Sequence, residues 1–262
     1  MTRGKKKETL TIEEKLKAAL VPEDEHPYEV PENWCWVKIG EITSVIGGGT
    51  PSTANKEYYE KGDISWLSPA DLSNYNNKYI SSGAKNITKL GLEKSSARLV
   101  PANTVCLSTR APIGYVVIAE KELCTNQGFK SFLPSKAYLP DYLYWYLKGI
   151  KDRLEEKASG TTFLELSGSK AAQIEFPIAP IAEQYRIVER IESLFSQLDG
   201  AQEKIEEVGG IAGNSKIIGK IEIIKKSILA KAFRGELGTH DEEDENAVEV
   251  LKAILNDMGV GE

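Results

Sequence analysis

Ile181-Ala-Glu-Gln-Tyr-Arg-Ile-Val-Glu-Arg-Ile-Glu-Ser-Leu-Phe-Ser-Gln-Leu-Asp-Gly-Ala-Gln-Glu-Lys-Ile-Glu-Glu-Val208 has a period that can be read directly. Ile187, Ile191, Leu194, Leu198, Ala201, Ile205 and Val208 recur at alternating intervals of four and three. Three heptads with an apolar a/d seam predict a long helix that pairs with another helix, in preference to an amphipathic helix packed on its own domain. Glu189, Arg190, Glu192, Glu203, Lys204 and Glu206 flank the seam with charge. So short a coiled coil needs a partner to supply the buried face. Ile187, Ile191, Leu194, Leu198, Ile205 and Val208 are therefore the candidate dimerisation residues. Gly209-Gly-Ile-Ala-Gly213 then breaks the period, and Ile217, Ile221, Ile224 and Ile228 resume it in another phase. Each glycine costs ~1 kcal/mol against alanine in a helix. The spacer over 181–235 is accordingly either one bent helix or a helical hairpin.

Upstream of the spacer the texture is different. Short β-rich runs lie at Val37–Ile46, Ile64–Leu67, Thr104–Thr109, Tyr115–Ala119 and Phe129–Leu133, with turns at Gly47–Pro51 and Ala111–Gly114. Residues 140–157 read as a helix opened by Pro140, with Tyr142, Trp145, Tyr146, Ile150 and Leu154 on its apolar face. Residues 31–180 are thus predicted to form one globular α+β domain, a twisted β-sheet with peripheral helices, followed by the coiled-coil spacer. Residues 1–30 are predicted to be a short helix, opened by the capping box Thr11-Ile-Glu-Glu14, and a proline-rich linker. Residues 236–262 read as an acidic loop and a last helix over Ala247–Met258.

Composition excludes several classes. With 262 residues and 41% apolar side chains the chain is long enough to bury a core and too apolar for disorder. No apolar run reaches the ~18 residues of a membrane span. Met1-Thr-Arg-Gly-Lys-Lys-Lys7 has charge but no apolar stretch behind it, unlike a signal peptide. Cys35, Cys106 and Cys124 are odd in number and irregularly spaced, which fits a reducing cytoplasm and neither a disulfide framework nor a zinc site. His26 and His240 both lie among acids, so no histidine-centred triad or metal cluster is expected. Phosphate-loop, Gly-x-Gly-x-x-Gly, Gly-x-Ser-x-Gly and Asn/Asp-Pro-Pro-aromatic elements are all missing. Carboxylates such as Asp63 and Asp71 are better read as surface acids than as a catalytic pair. The sequence therefore predicts a chain without catalysis of its own.

Charge is unevenly placed. Residues 31–180 carry 17 basic and 15 acidic side chains, whereas 181–262 carry 10 and 17. Only the middle region suits an anionic partner. Within it, Leu72–Leu92 is free of acids and holds Asn76, Asn77, Lys78 and Lys85. Lysine neutralises phosphate, and asparagine can pair bidentately with adenine. Leu123–Pro140 is also acid-free and holds Asn126, Gln127 and Lys130; Arg110 sits at a strand-to-turn junction where its fork could reach guanine or phosphate. Residue types alone leave three readings open: a DNA reader, a non-DNA α+β interaction module dimerised by a stalk, and an enzyme with an unrecognised site.

A set of ordered motifs separates them. Pro31-Glu-Asn-Trp-Cys-Trp-Val-Lys-Ile-Gly-Glu-Ile42, Gly47-Gly-Gly-Thr-Pro-Ser52 and Gly62-Asp-Ile-Ser-Trp-Leu-Ser-Pro69 resemble the entry of a target recognition domain of type I restriction-modification specificity subunits. Arg110-Ala-Pro-Ile-Gly114, Thr125-Asn-Gln-Gly128 and Gly160-Thr-Thr-Phe163 resemble its later landmarks. Ala182-Glu-Gln184 with Arg186-Ile-Val188, and Ile228-Leu-Ala-Lys-Ala-Phe-Arg-Gly-Glu-Leu237, resemble the two ends of its spacer helix. Members of that family usually carry two recognition domains and two spacers; this chain has one of each and resembles a half-sized form. The resemblance implies double-stranded DNA as ligand, a separate methyltransferase subunit using S-adenosylmethionine, and a restriction subunit using ATP and Mg. It implies no cofactor on this chain. The 187–208 seam predicts a homodimer, and the two-fold symmetry of such a dimer predicts a bipartite, palindromic target. It assigns DNA contact to Gly48, Thr50, Ser52, Arg110, Asn126, Gln127 and Lys130; Asn76, Asn77, Lys78 and Lys85 rest on the charge argument alone.

Overall fold

Thr11 opens the first helix, α1 (Ile12–Ala19), in a capping box whose two reciprocal bonds with Glu14 both form. The computed structural model describes residues 10–110, 112–160, 164–208 and 211–257. Behind α1 the chain enters β1 (Cys35–Lys38), which pairs antiparallel with the last strand, β11 (Glu175–Ile178). The two ends of the 31–180 region are therefore neighbours.

Between them lie two sheets. The larger runs in the order β2 (Val45–Gly47), β10 (Phe129–Phe132), β7 (Val105–Ser108), β8 (Val116–Ala119), β4 (Tyr79–Ile80). The smaller runs β5 (Lys85–Ile87), β3 (Ile64–Leu67), β9 (Leu123–Thr125), β6 (Leu99–Val100). Strands β7, β8 and β10 are buried at every position. Successive side chains of a strand point to opposite faces. Val105, Leu107, Ile118 and Phe132 enter one core, and Cys106, Val117, Ala119 and Phe129 enter a second on the other side. A sheet covered on both faces explains why these runs read as continuous apolar stretches rather than alternating ones.

The expected helix over 140–157 is two helices, α3 (Pro140–Gly149) and α4 (Lys151–Lys157). Ile150 separates them at φ −102° and ψ 17°, outside helical values. Short helices α2 (Lys89–Glu93) and α5 (Gly168–Ala172) are capped by Thr88 and Ser167.

The spacer is a hairpin. Helices α6 (Ile181–Val208) and α7 (Ile211–Ala232) run back along one another. Lys225 Nζ meets Asp199 Oδ1 at 2.7 Å and lies 5.6 Å from the Phe195 ring centroid. Charge favours this pairing, since α6 carries seven carboxylates against three cations and α7 five cations against one carboxylate.

The apolar seam on α6 is only partly available to a second copy. Ile187 and Ile191 are fully buried in the chain's own core, which also contains residues of α3. Trp145 of α3 stacks edge-on against Phe195 at 4.9 Å. Those two positions therefore dock the spacer on its own domain. Leu194, Leu198 and Ile205 are half-buried, and the Val208 side chain lies outside the described residues. On α7, Ile217, Ile223 and Ile224 remain 37%, 67% and 45% exposed.

The first turn of α6 is bolted down by polar side chains. Gln184, fully buried, donates to the carbonyls of Ala137 (3.0 Å) and Ala179 (2.9 Å) and accepts from the Leu139 N–H (2.9 Å). Glu183, also fully buried, accepts from Trp34 Nε1 (2.8 Å) and the Thr239 hydroxyl (3.2 Å). Arg186 donates to the Thr239 carbonyl at 2.8 Å and pairs with Asp244, so the acidic segment after α7 is strapped to the spacer. Helix α8 (Ala247–Asp257) then packs on α1. Ala19, Ala247 and Leu251 belong to the same core as Trp36 and Phe176, so the flanks at 1–30 and 236–262 share that core with the 31–180 region. No described helix is long and apolar enough to cross a membrane.

Candidate nucleic-acid interface

Three loops converge at one end of the larger sheet. The first follows β2 and contains Gly48, Thr50 and Ser52. Its glycines are required by close approach: a β-carbon on Gly48 would fall 2.0 Å from the Asn126 carbonyl oxygen, and one on Gly49 2.3 Å from the Ala97 nitrogen. The loop is pinned from beneath, where Trp66 Nε1 donates to the Gly49 carbonyl (2.9 Å) and the Tyr59 hydroxyl to that of Pro51 (2.6 Å). The second loop joins β9 to β10. Asn126 bonds through its backbone N–H to the Leu67 carbonyl (2.8 Å), and its side-chain oxygen accepts from the Gly128 N–H (2.8 Å). That oxygen holds the turn, which leaves Gln127 exposed at the tip. The Thr50 hydroxyl bonds to Gln127 and ties the first loop to the second.

The third loop follows β7. Arg110 forms an isolated bridge with Glu165, and its Nη2 lies 3.0 Å from Glu165 Oε2. Lys130, on β10, reaches the other oxygen of the same carboxylate at 4.0 Å. Burial holds the Lys130 pKa below the ordinary lysine value; Arg110 adds to the depression, and Glu165 opposes it. Two cations face one carboxylate, so the cluster keeps a net positive charge at the rim where Thr50, Ser52 and Gln127 stand exposed. The arrangement offers hydrogen-bond donors, a guanidinium fork and positive charge on rigid strand ends, which is the chemistry of phosphate and base-edge contact.

The structure therefore brings together Gly48, Thr50, Ser52, Arg110, Asn126, Gln127 and Lys130. It does not bring Asn76, Asn77 and Lys78 to them. Those three line a groove beside the spacer with Trp145 and Phe195. Lys78 is bonded there to both Asp141 and Glu192. Burial pulls its pKa down, but the two carboxylates prevail and hold it above the usual lysine value. A cation bonded in this way is a strut between sheet and spacer. Lys78→Ala is expected to leave duplex affinity and its salt slope unchanged while lowering stability by about 1.5–3 kcal/mol, the range for a hydrogen bond to a charged group. Urea unfolding and a salt titration of binding, run side by side, check this.

Lys85 belongs to a third place, beneath the first loop. With Thr53, Lys56, Asn86, Tyr59 and Trp66 it lines a cavity of about 540 Å³ on the smaller sheet, which adjoins the Gly48–Ser52 loop through Thr53 and the two aromatic rings that pin it. Glu165, Trp66 and Tyr59 are not among the candidate contacts read from the sequence, although Trp66 lies within the Gly62–Pro69 motif. Glu165 counts as one more acid until the fold sets it between Arg110 and Lys130. The two aromatics each lie within ~20 residues of the loop they hold, but nothing in their spacing announces the bonds.

The family pattern for the type I restriction modification DNA specificity domain matches residues 31–209. This chain belongs to that family. Among curated specificity subunits, it is 41% identical over 182 residues to the type I restriction enzyme MjaIX specificity subunit of Methanocaldococcus jannaschii, covering 69% of this chain and 42% of the relative. It is 31% identical over 160 residues to the EcoR124I/EcoR124II specificity subunit of Escherichia coli, covering 59% and 39%. Its fold is similar to that of the HsdS subunit from Thermoanaerobacter tengcongensis, with a TM-score of 0.53 at 22% identity over 86% of this chain and 50% of that one. The chain spans two fifths to one half of the length of these specificity subunits. Membership does not favour the alternative of a non-DNA module on a stalk. It also gives the strand-end loops a context, since they lie within the matched 31–209 region.

Proposed function

We propose that this chain is a DNA sequence-specificity subunit of a type I restriction-modification system, and that it reads duplex DNA with the three strand-end loops. The observation that carries this reading is the convergence of the Gly48–Ser52 loop, Arg110 and the Asn126–Lys130 loop on one rim, in a chain of the specificity family. In this reading the chain carries out neither methyl transfer nor cleavage. A methyltransferase subunit supplies S-adenosylmethionine chemistry on a flipped base, and a restriction subunit uses ATP and Mg. The chain itself holds no cofactor and works in the cytoplasm, where the genome is.

The exposed isoleucines of α7 support a second copy as partner. Ile217, Ile223 and Ile224 present an apolar face on a helix whose other side is already packed on α6. Two hairpins paired through that face would form a four-helix coiled-coil spacer, with the recognition domains at its ends. A two-fold dimer reads the same half-site twice, in inverted orientation. At 1.5 Å per residue α6 spans about 40 Å, close to one DNA turn of ~34–36 Å. Ile223→Glu with Ile224→Glu is expected to convert a dimer into a folded monomer, read by sedimentation with circular dichroism as the fold control. A variant that still sediments as a dimer removes α7 from the interface.

The experiment that tests the whole reading is methylation mapping in cells that contain this chain as the sole specificity subunit, against cells lacking it. The expected result is a bipartite, palindromic motif that vanishes with the chain. No chain-dependent motif overturns the function; an asymmetric motif overturns the dimer.

A further inference from the structure

The Ala232-Phe-Arg-Gly-Glu236 segment that ends the spacer has no part in the DNA rim, yet it closes a cavity of about 320 Å³. Three stretches of the chain meet there: Pro27 and Tyr28 from the N-terminal segment, the α3–α4 junction, and the end of α7. Leu229 and Phe233 give it apolar walls. Two arginines line it. Arg234 has no carboxylate within 4 Å among the described residues, and its guanidinium lies 4.8 Å from the Tyr28 ring centroid. Stacking of this kind fixes the plane of the fork and leaves its N–H edges free. Arg153 gives Nη2 to Glu175 at 3.2 Å, but Lys157 already holds that carboxylate at 2.6 and 2.5 Å. Its Nη1 is shielded from solvent and forms no hydrogen bond, although the Tyr146 hydroxyl lies close to the same guanidinium. Arg153 and Lys157 thus share one carboxylate, and Arg234 has none.

A charged N–H kept from water without an acceptor is costly, and buried polar groups in folded proteins are almost always paired. Arg153 is short of an anionic acceptor, and Arg234, which is exposed, has only solvent on its free edges. We infer that this cavity binds a carboxylate carried on a compact apolar group. Guanidinium forks match the planar, two-oxygen geometry of a carboxylate, and a small pivot of Arg153 turns Nη1 toward it. The apolar walls accept the body of the ligand, and the volume sits at the lower end of the range for small-ligand sites. A duplex phosphate does not fit this description, because it arrives on a hydrated polyanionic rod and finds apolar walls. A ligand seated here also bridges the N-terminal segment, the recognition domain and the end of the spacer.

The test is isothermal titration of the full chain, at low ionic strength, with 3-methylbutanoate. The neutral 3-methylbutanamide and inorganic phosphate serve as comparison probes. Saturable one-to-one binding of the carboxylate is expected, with no saturation by the amide and affinity for phosphate at least about tenfold weaker. Arg234→Gln, which touches no ion pair, is expected to weaken carboxylate binding at least about tenfold, and Arg234→Lys, which keeps the charge and loses the fork, to weaken it too. Absence of saturable binding to the unaltered chain overturns the site. Equal binding of the amide, or phosphate binding as tight as the carboxylate, overturns the ligand class. A folded Arg234→Gln chain that binds as well as the unaltered one removes the arginine. Should that variant fail to fold, the three titrations of the unaltered chain still decide.

Discussion

Ile191→Asp is expected to unfold the protein and not merely to separate one copy from another. The side chain is fully buried among the residues that dock α6 on its own domain, and Ile187, one turn earlier, is equally enclosed. An aspartate there would bring a charge into an apolar site with no cation to meet it, at roughly 3–5 kcal/mol. That is a large fraction of the ~5–15 kcal/mol that holds a domain together. Urea unfolding followed by far-ultraviolet circular dichroism reads the loss directly. A variant that keeps its unfolding midpoint and only changes its sedimentation would show that Ile191 faces a partner and that the docking of α6 is wrong.

The second large effect belongs to the rim. Arg110→Ala, in the complex with a methyltransferase subunit, is expected to cost about 1–3 kcal/mol of specific binding if its fork reads guanine. Glu165→Gln should act in the opposite sense on non-specific binding. It removes the carboxylate that faces Arg110 and Lys130, so affinity for every duplex should rise and the salt slope steepen by up to about one. Discrimination between target and scrambled duplex should fall, because an unanchored arginine can take either phosphate or base. Fluorescence anisotropy with the two duplexes at two salt concentrations separates these outcomes. Arg110→Ala without effect on affinity or preference takes it out of the site; Glu165→Gln without effect on either duplex shows that the carboxylate does not govern those cations.

What could be read beforehand depended on the range of the interaction. Local chemistry was legible: the capping box at Thr11–Glu14 forms with both bonds. The Gly209–Gly213 break allowed a bend or a hairpin, and the choice fell to a long-range contact, Lys225 on Asp199. The α6 seam was legible as apolar but not as to its partner, because a heptad pattern says that a helix is covered, not by what. Ile187 and Ile191 are covered from within. The same limit applied to charge. Lys78 and Lys130 both lie in acid-free stretches, yet Asp141 and Glu192, distant in sequence, enclose the first, while Arg110 and Glu165 accompany the second. The break at Ile150 was missed because the apolar spacing of 140–157 continues through it.

The Glu183 carboxylate, tied at once to Trp34 and Thr239, bears on how specificities can be exchanged between relatives. Module borders placed at residues 31 and 180 look natural on the sequence, but a chimera cut there takes Trp34 from one parent and Glu183 from the other. If the donor lacks the indole, a carboxylate is left sealed from water with half its ligands. Grafts confined to the loop tips at 48–52, 110–115 and 125–130, together with the Glu165 segment that faces them, leave that buried junction whole. Exchange of this domain is then limited by an acid outside the three-loop rim, and productive recombinants should be those whose crossovers spare the indole–carboxylate–threonine contact.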